Sequence, residues 1–235
     1  MIKNNDFDAL VIDGIERSIS HLKNLSVLID VQFSNGDTRT IRIHMRPTNH
    51  LFSREETAAD KANRPALASQ GYLLTSYVHC EGNFQQLKGT SPAIKEHRIF
   101  CEMKWADSFY FPQFVELIQT VPIHVTVLAN PGDEKTCLSG ILDLADKPDD
   151  VYLVFFTLTK TNSREVNMLI ESAYCVNKAT HHKAQKLLTN GGDVKPFIVA
   201  LKNVMEGRKP MEGLKQSNRA HKMKKIKRAK MQKAL

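Results

Sequence analysis

The sequence predicts an α+β domain built on a mostly antiparallel sheet with flanking helices, and three observations carry that prediction. Val27, Ile29, Val31 and Phe33 alternate with other residues up to Asn35-Gly36, after which Ile41, Ile43 and Met45 alternate again. Asn-Gly between two period-two runs specifies a tight hairpin, because both residues tolerate positive φ. Residues 151–159 are almost continuously apolar, the mark of a strand buried on both faces, and Asn162-Ser163-Arg164-Glu165 turns them back into residues 166–176 as a second hairpin. The order helix, hairpin, mixed region, helix, three strands, helix completes the α+β pattern.

The elements follow in order. Phe7, Leu10, Val11, Ile15, Ile19 and Leu22 recur at three- and four-residue steps, predicting an amphipathic helix over residues 6–23. The returning strand of the first hairpin sets Thr40, Arg42, His44 and Arg46 on the face opposite its apolar residues. Ser53-Arg54-Glu55-Glu56 reads as the start of a short helix, residues 71–78 as a strand, and Gly89-Thr90-Ser91-Pro92 as a loop. Residues 99–105 fit a strand or a loop, and Phe111-Pro112 opens a helix through Ile118, with proline suited to its first turn. Ile123, Val125 and Val127 form a strand ending at Asn130-Pro131-Gly132. A helix over residues 178–188 stops at Asn190-Gly191-Gly192, and residues 195–201 close the domain as strand or helix.

Charge divides the chain. Residues 208–235 hold 11 Lys or Arg against the single acid Glu212, whereas the whole chain has 33 basic and 25 acidic side chains. The preceding residues are thus close to neutral. The domain reading is one globule over residues 1–207 and a basic tail over 208–235. Within the globule, a helix and hairpin occupy 1–46, a variable region 47–94 and a core 95–207. The tail cations are Arg208, Lys209, Lys215, Arg219, Lys222, Lys224, Lys225, Lys227, Arg228, Lys230 and Lys233. Without a partner they repel one another, which predicts a disordered or helical tail beyond about residue 212 that orders on a polyanion. Nucleic acid, RNA or DNA, is the expected partner, with Arg42 and Arg46 as further contacts from the sheet. No apolar run reaches the ~20 residues needed to cross a bilayer, and the first residues do not resemble a signal peptide. The expected location is the cytoplasm, with no membrane partner.

The chemistry-bearing residues point in fewer directions. Cys80, Cys101, Cys137 and Cys175 are widely spaced, each beside apolar residues, so ordinary buried thiols are expected rather than a metal site. Phosphate loops, dinucleotide fingerprints, zincin helices and nucleophile elbows are absent, and no cofactor or metal is expected. Asp149-Asp150 and the pair Asp143 and Asp146 read as solvated loop residues. What remains suits metal-free phosphodiester cleavage, which needs a base, an acid and cations for the phosphorane. His97, Arg98 and Lys104 cluster, Arg164 sits at the second hairpin turn, and Ser172 and Tyr174 alternate along its returning strand, with His181 and His182 beyond.

These residues also carry a resemblance. His97-Arg98-Ile99-Phe100-Cys101, then Ala106-Asp107-Ser108 and Phe111-Pro112, resemble a pattern in proteins of plasmids, integrative elements and prophages: R-x-F-C, a later serine, and L-P before an apolar helix. The same proteins carry E-S-A-Y, matched by Glu171-Ser172-Ala173-Tyr174, and a closing K-P-I or K-P-F, matched by Lys195-Pro196-Phe197. The resemblance covers residues 95–205 and implies a protein of a mobile genetic element. The strand arrangement is also similar to the barnase-EndoU-colicin-RelE class of nucleases, an analogy of fold. The expected function is non-enzymatic nucleic-acid binding, the tail supplying sequence-independent affinity. The alternatives are a metal-independent endoribonuclease using His97, Arg98, Arg164 and Tyr174, and a defence or counter-defence protein acting through protein contacts.

Overall fold

The computed structural model describes residues 9–75, 79–80, 83–84, 97–129, 137–189 and 194–212. The chain enters as a hairpin. β1 (Ala9–Ile12) and β2 (Ile15–Ser18) pair antiparallel around Asp13-Gly14, whose φ angles are +50° and +74°. This corrects the helix predicted over residues 6–23. Two successive left-handed residues make a tight turn, and Leu10 and Ile12 are buried at period two. A single 3-10 turn, Ser20–Leu22, leads on to the predicted hairpin of β3 (Ser26–Gln32) and β4 (Thr38–Pro47), in whose turn Gly36 has positive φ but Asn35 does not.

β5 (Ser53–Glu55) occupies the stretch expected to start a helix. That helix, α1 (Ala58–Ala62), begins a turn later, because Thr57 and Asp60 close a reciprocal capping box there. α2 (Arg64–Ser69), β6 (Leu73–Thr75) and the short paired strands β7 (His79–Cys80) and β8 (Asn83–Phe84) follow. β9 (His97–Phe100) lies between β5 and β6 in a small antiparallel sheet, then passes into α3 (Glu102–Asp107). Residues 99–105 are thus strand, then helix. α4 (Phe111–Thr120) starts at its expected proline and buries Phe111, Phe114, Val115 and Ile118.

β10 (Thr126–Ala129) and β11 (Cys137–Asp143) precede the long hairpin of β12 (Asp150–Lys160) and β13 (Glu165–Asn177). β11 is a strand that the alternation of residues does not announce, since all of it except Asp143 is buried. α5 (His182–Leu188) starts later than predicted, behind a turn at 178–180. The closing segment is both elements at once: β14 (Lys195–Pro196) and α6 (Phe197–Met205). The loop at 89–92, the turns at 130–132 and 190–192, and the tail past 212 lie outside the described residues. No helix among the described residues is long and apolar enough to cross a membrane.

Seven strands form the main sheet in the order β14-β10-β11-β12-β13-β4-β3, antiparallel except where β13 meets β4. One face carries the main core, with Phe114, Ile118, Phe156, Phe197 and Leu201 fully buried under α4 and α6. The opposite face holds a smaller core of Leu128, Ile141, Val151 and Leu153 under Ala184 and Leu187 of α5. Along β13 that second face is reached through a bulge. Phe156 pairs with Ile170 but Phe155 with Ser172, so Glu171 is one residue too many. Arg208–Glu212 are packed against the globule: Asn203 donates to the Pro210 and Glu212 carbonyls, and Lys195 to those of Met211 and Glu212.

Two glycines with positive φ separate conformation from packing. A Cβ on Gly14 meets nothing within 4 Å, whereas one on Gly71 lies 2.0 Å from the Val11 carbonyl oxygen. Gly14→Ala is expected to cost about 1 kcal/mol, the left-handed penalty alone. Gly71→Ala should cost at least ~3 kcal/mol, because the backbone of β1 must also move. Urea unfolding of the two variants checks the difference.

Candidate nucleic-acid interface

The second face of the sheet gathers the chemistry. Before the bulge, β13 sends Glu165, Asn167 and Leu169 to this face, beside Arg42, His44 and Arg46 of the parallel β4. His44 Nε2 lies 3.8 Å from Glu165 Oε1, Arg42 is exposed, and the buried Nε of Arg46 has no hydrogen-bond partner among the described residues. After the bulge the same face receives Ser172 and Tyr174. Tyr174 stacks on Phe155 of β12 with ring centroids 5.7 Å apart and planes 26° apart. Both rings are only partly buried, and each carries an amine: Lys104 Nζ is 5.3 Å from the centre of Tyr174, and Lys183 Nζ 4.6 Å from that of Phe155.

Lys104 reaches this face because β4 stops pairing early. β4 accompanies β13 only from Glu165 to Ile170, which frees the strand edge beyond. Thr48 takes over first, its N–H donating to the Ile170 carbonyl and its hydroxyl to that of Glu171. α3 covers the rest, with Asp107 Oδ2 accepting from the Cys175 N–H at 2.9 Å. One turn earlier on α3, Lys104 Nζ donates to Ser172 Oγ at 3.1 Å. Burial pulls the pKa of Lys104 down to about 8, with the neighbouring Arg98 adding to the effect; Cys101, Asp107 and Glu55 oppose it.

The residues singled out in the sequence are divided by the structure. Arg98 and Tyr174 both belong to the Lys104 corner, but Arg98 is buried, donating from Nε to Ser53 Oγ at 2.9 Å. His97, its neighbour on β9, is exposed and faces the other way. Arg164 stands at the turn of the long hairpin, ten residues from Tyr174, or about 33 Å of extended strand. The proposed set of His97, Arg98, Arg164 and Tyr174 is therefore not gathered in one cleft. The residues that do meet are Lys104, Ser172 and Tyr174. Spacing along the chain gave no sign that Lys104 and Ser172 would be partners.

Of the tail cations, Arg208 pairs with Glu206 and Lys209 N–H bonds the Glu212 carboxylate; Lys215, Arg219, Lys222, Lys224, Lys225, Lys227, Arg228, Lys230 and Lys233 lie outside the described residues. Of the cysteines, Cys137 is buried, Cys101 and Cys175 are partly buried, these three are free thiols, and the Cys80 side chain lies outside the description. Burial and Asp107 push the Cys175 thiol up to about 12, which makes it a poor nucleophile. No group of three or more metal-ligating side chains occurs among the described residues. Asp143 and Asp146 are not idle loop acids, since Lys178 pairs with the first and Tyr110 donates to the second.

Behind the corner, His21 locks α3 to the N-terminal hairpin. Its ring stacks on Phe109 at 4.0 Å, Nε2 lies 2.8 Å from Ser108 Oγ, and Ser108 donates to the Trp105 carbonyl. Trp105 Nε1 in turn donates to the Ser18 carbonyl.

The chain belongs to the YjaZ family, whose family model matches residues 9–205, from β1 to the end of α6. No curated protein and no solved structure matches it.

Acid should loosen the His21 lock. Burial pulls the His21 pKa down to about 4, against a hydrogen bond to Ser108 that raises it, while the unfolded chain titrates near 6.5. The unfolded state then binds more protons between those values, so stability is whole above pH 6.5 and falls as pH descends toward 4. The expected loss is on the order of 2 kcal/mol, allowing for partial exposure. His21→Phe should flatten this part of the stability–pH curve, measured by denaturant unfolding from pH 4 to 8.

Proposed function

We propose that this YjaZ-family chain binds single-stranded nucleic acid across the second face of its sheet, with the basic tail adding sequence-independent affinity. The observation that supports this best is the Phe155–Tyr174 stack with an amine over each ring. Base–aromatic stacking flanked by cations is how sheet faces hold unpaired strands: every base offers a π-face, and cations such as Lys183 meet the phosphates between them. Duplex contacts rely mainly on phosphates, which two stacked rings on a sheet do not read. Thr40, Arg42, His44 and Arg46 continue the polar path toward the β3 edge. Association with a mobile genetic element is part of the proposal. Its support is that R-x-F-C and E-S-A-Y, far apart in sequence, adjoin through Arg98, Lys104 and Ser172.

The two contributions separate in a salt titration. Phe155→Ala and Tyr174→Leu should each weaken binding of a fluorescent poly(U) or poly(dT) strand by roughly 1–3 kcal/mol. Neither should change the slope of log affinity against log salt, because neither removes a cation. Deleting residues 213–235 should flatten that slope by several units, at about 0.7 per phosphate released. Fluorescence anisotropy across a salt series reads all three. Unaltered affinity in both aromatic variants would remove the sheet face from the interface.

A further inference from the structure

We propose that the Lys104–Ser172 pair is a metal-independent cleavage centre for RNA, with Lys104 Nζ as the base that takes the proton from a ribose 2′-hydroxyl. The inference rests on the single-strand reading of the face, and assigns the substrate class and reaction at one corner of it. Three features of the geometry lead there. Lys104 Nζ is fixed rather than free, donating to Ser172 Oγ at 3.1 Å and lying over the Tyr174 ring. The amine therefore stands over one side of the ring against which a base would stack, within reach of the sugar of that nucleotide. Its neighbours also disfavour the ammonium form. Arg98 of β9 repels it, β13 offers a neutral serine and a tyrosine ring, and the acids Glu55 of β5 and Asp107 of α3 are only partial compensation. A lysine so placed is partly neutral near physiological pH, the state a base requires.

The step balances without a metal or redox partner. The amine accepts the 2′-hydroxyl proton as the 2′-oxygen bonds to the adjacent phosphorus. The bond from phosphorus to the 5′-oxygen breaks, and the leaving oxygen takes a proton from water. Loss of the ammonium proton to the resulting hydroxide restores the amine. The products are a 2′,3′-cyclic phosphate and a 5′-hydroxyl. Ser172 is a positioning residue, holding the amine by its hydrogen bond. DNA, which lacks the nucleophile, is bound but not cut.

The test uses the full chain with random-sequence RNA and DNA pools in excess chelator, scoring retention on a filter and cleavage on a gel. Expected are retention of both pools, cleavage of RNA alone, cyclic phosphate ends, and a rate that rises with pH through a midpoint at or above 8. Lys104→Arg keeps the charge but cannot act as a base; it should lose roughly 10²–10⁴-fold in cleavage with retention changed less than about threefold. Ser172→Ala should shift the midpoint of the pH profile while leaving binding intact. An unfolding curve for each variant separates a lost base from a lost fold. RNA retained but uncut by the wild-type chain overturns the cleavage centre and leaves the binding proposal standing. Cleavage that survives in Lys104→Arg overturns it equally. Retention of neither pool overturns the binding proposal itself.

Discussion

One extra residue in β13 decides what the sheet can present. Side chains alternate strictly along a strand, so every residue after an insertion changes face. Glu165, Asn167 and Leu169 lie on the second face, and Val166, Met168 and Ile170 in the main core. With regular pairing, Ser172 and Tyr174 would follow Ile170 into that core and Ala173 would point away from it. The bulge at Glu171 reverses the order: Ala173 is fully buried, while Ser172 and Tyr174 join Phe155 on the second face. The Thr48 hydroxyl donates to the Glu171 carbonyl at the point where β4 turns away. The bulge, the departure of β4 and the arrival of α3 are thus parts of one arrangement. Its outcome is an amine, a hydroxyl and two stacked rings within a few ångströms of one another.

Much of the scaffold was legible in the sequence, and what was missed follows a pattern. The Asn35-Gly36 hairpin and the long hairpin of β12 and β13 were both readable, because turn chemistry and hydrophobic period agree there. At the N-terminus the two signals disagreed. Leu10, Val11, Ile15 and Ile19 fit a helical period, yet Asp13-Gly14 carries the same positive-φ preference that identified the first hairpin, and the turn decided the structure. β11 was invisible for another reason. A strand buried on both faces has no alternation to show, and Gly140 breaks its apolar run because the Phe114 ring lies against that position.

The site was legible as residue types but not as an assembly. Arg98, Lys104, Ser172 and Tyr174 could all be noted as chemically able groups, and local period put Ser172 and Tyr174 on one face. That this is the second face rather than the main core depends on the bulge, which has no local signature. That Lys104 meets Ser172 depends on β4 ending at Pro47, a tertiary fact. Arg164 failed to join them for a simple geometric reason: residues at opposite ends of a long hairpin are separated by its whole length.

The electrostatics of the corner limit how it can work. Holding Arg98 and Lys104 close together, with burial, destabilises the ammonium in the free protein. A phosphate arriving beside them relieves that repulsion and draws the proton back, so binding and base strength are coupled with opposite sign. A phosphate seated directly on Lys104 would hold it as a cation, an anchor with no role in proton transfer. A strand that stacks its base on Tyr174 and gives its phosphates to Lys183 and the arginine stripe would leave the amine partly neutral, as in the free protein. On the proposed reading the same two aromatic rings would do more than add affinity: by fixing where the sugar lies relative to the charges, they would decide whether Lys104 serves as an anchor or as a base.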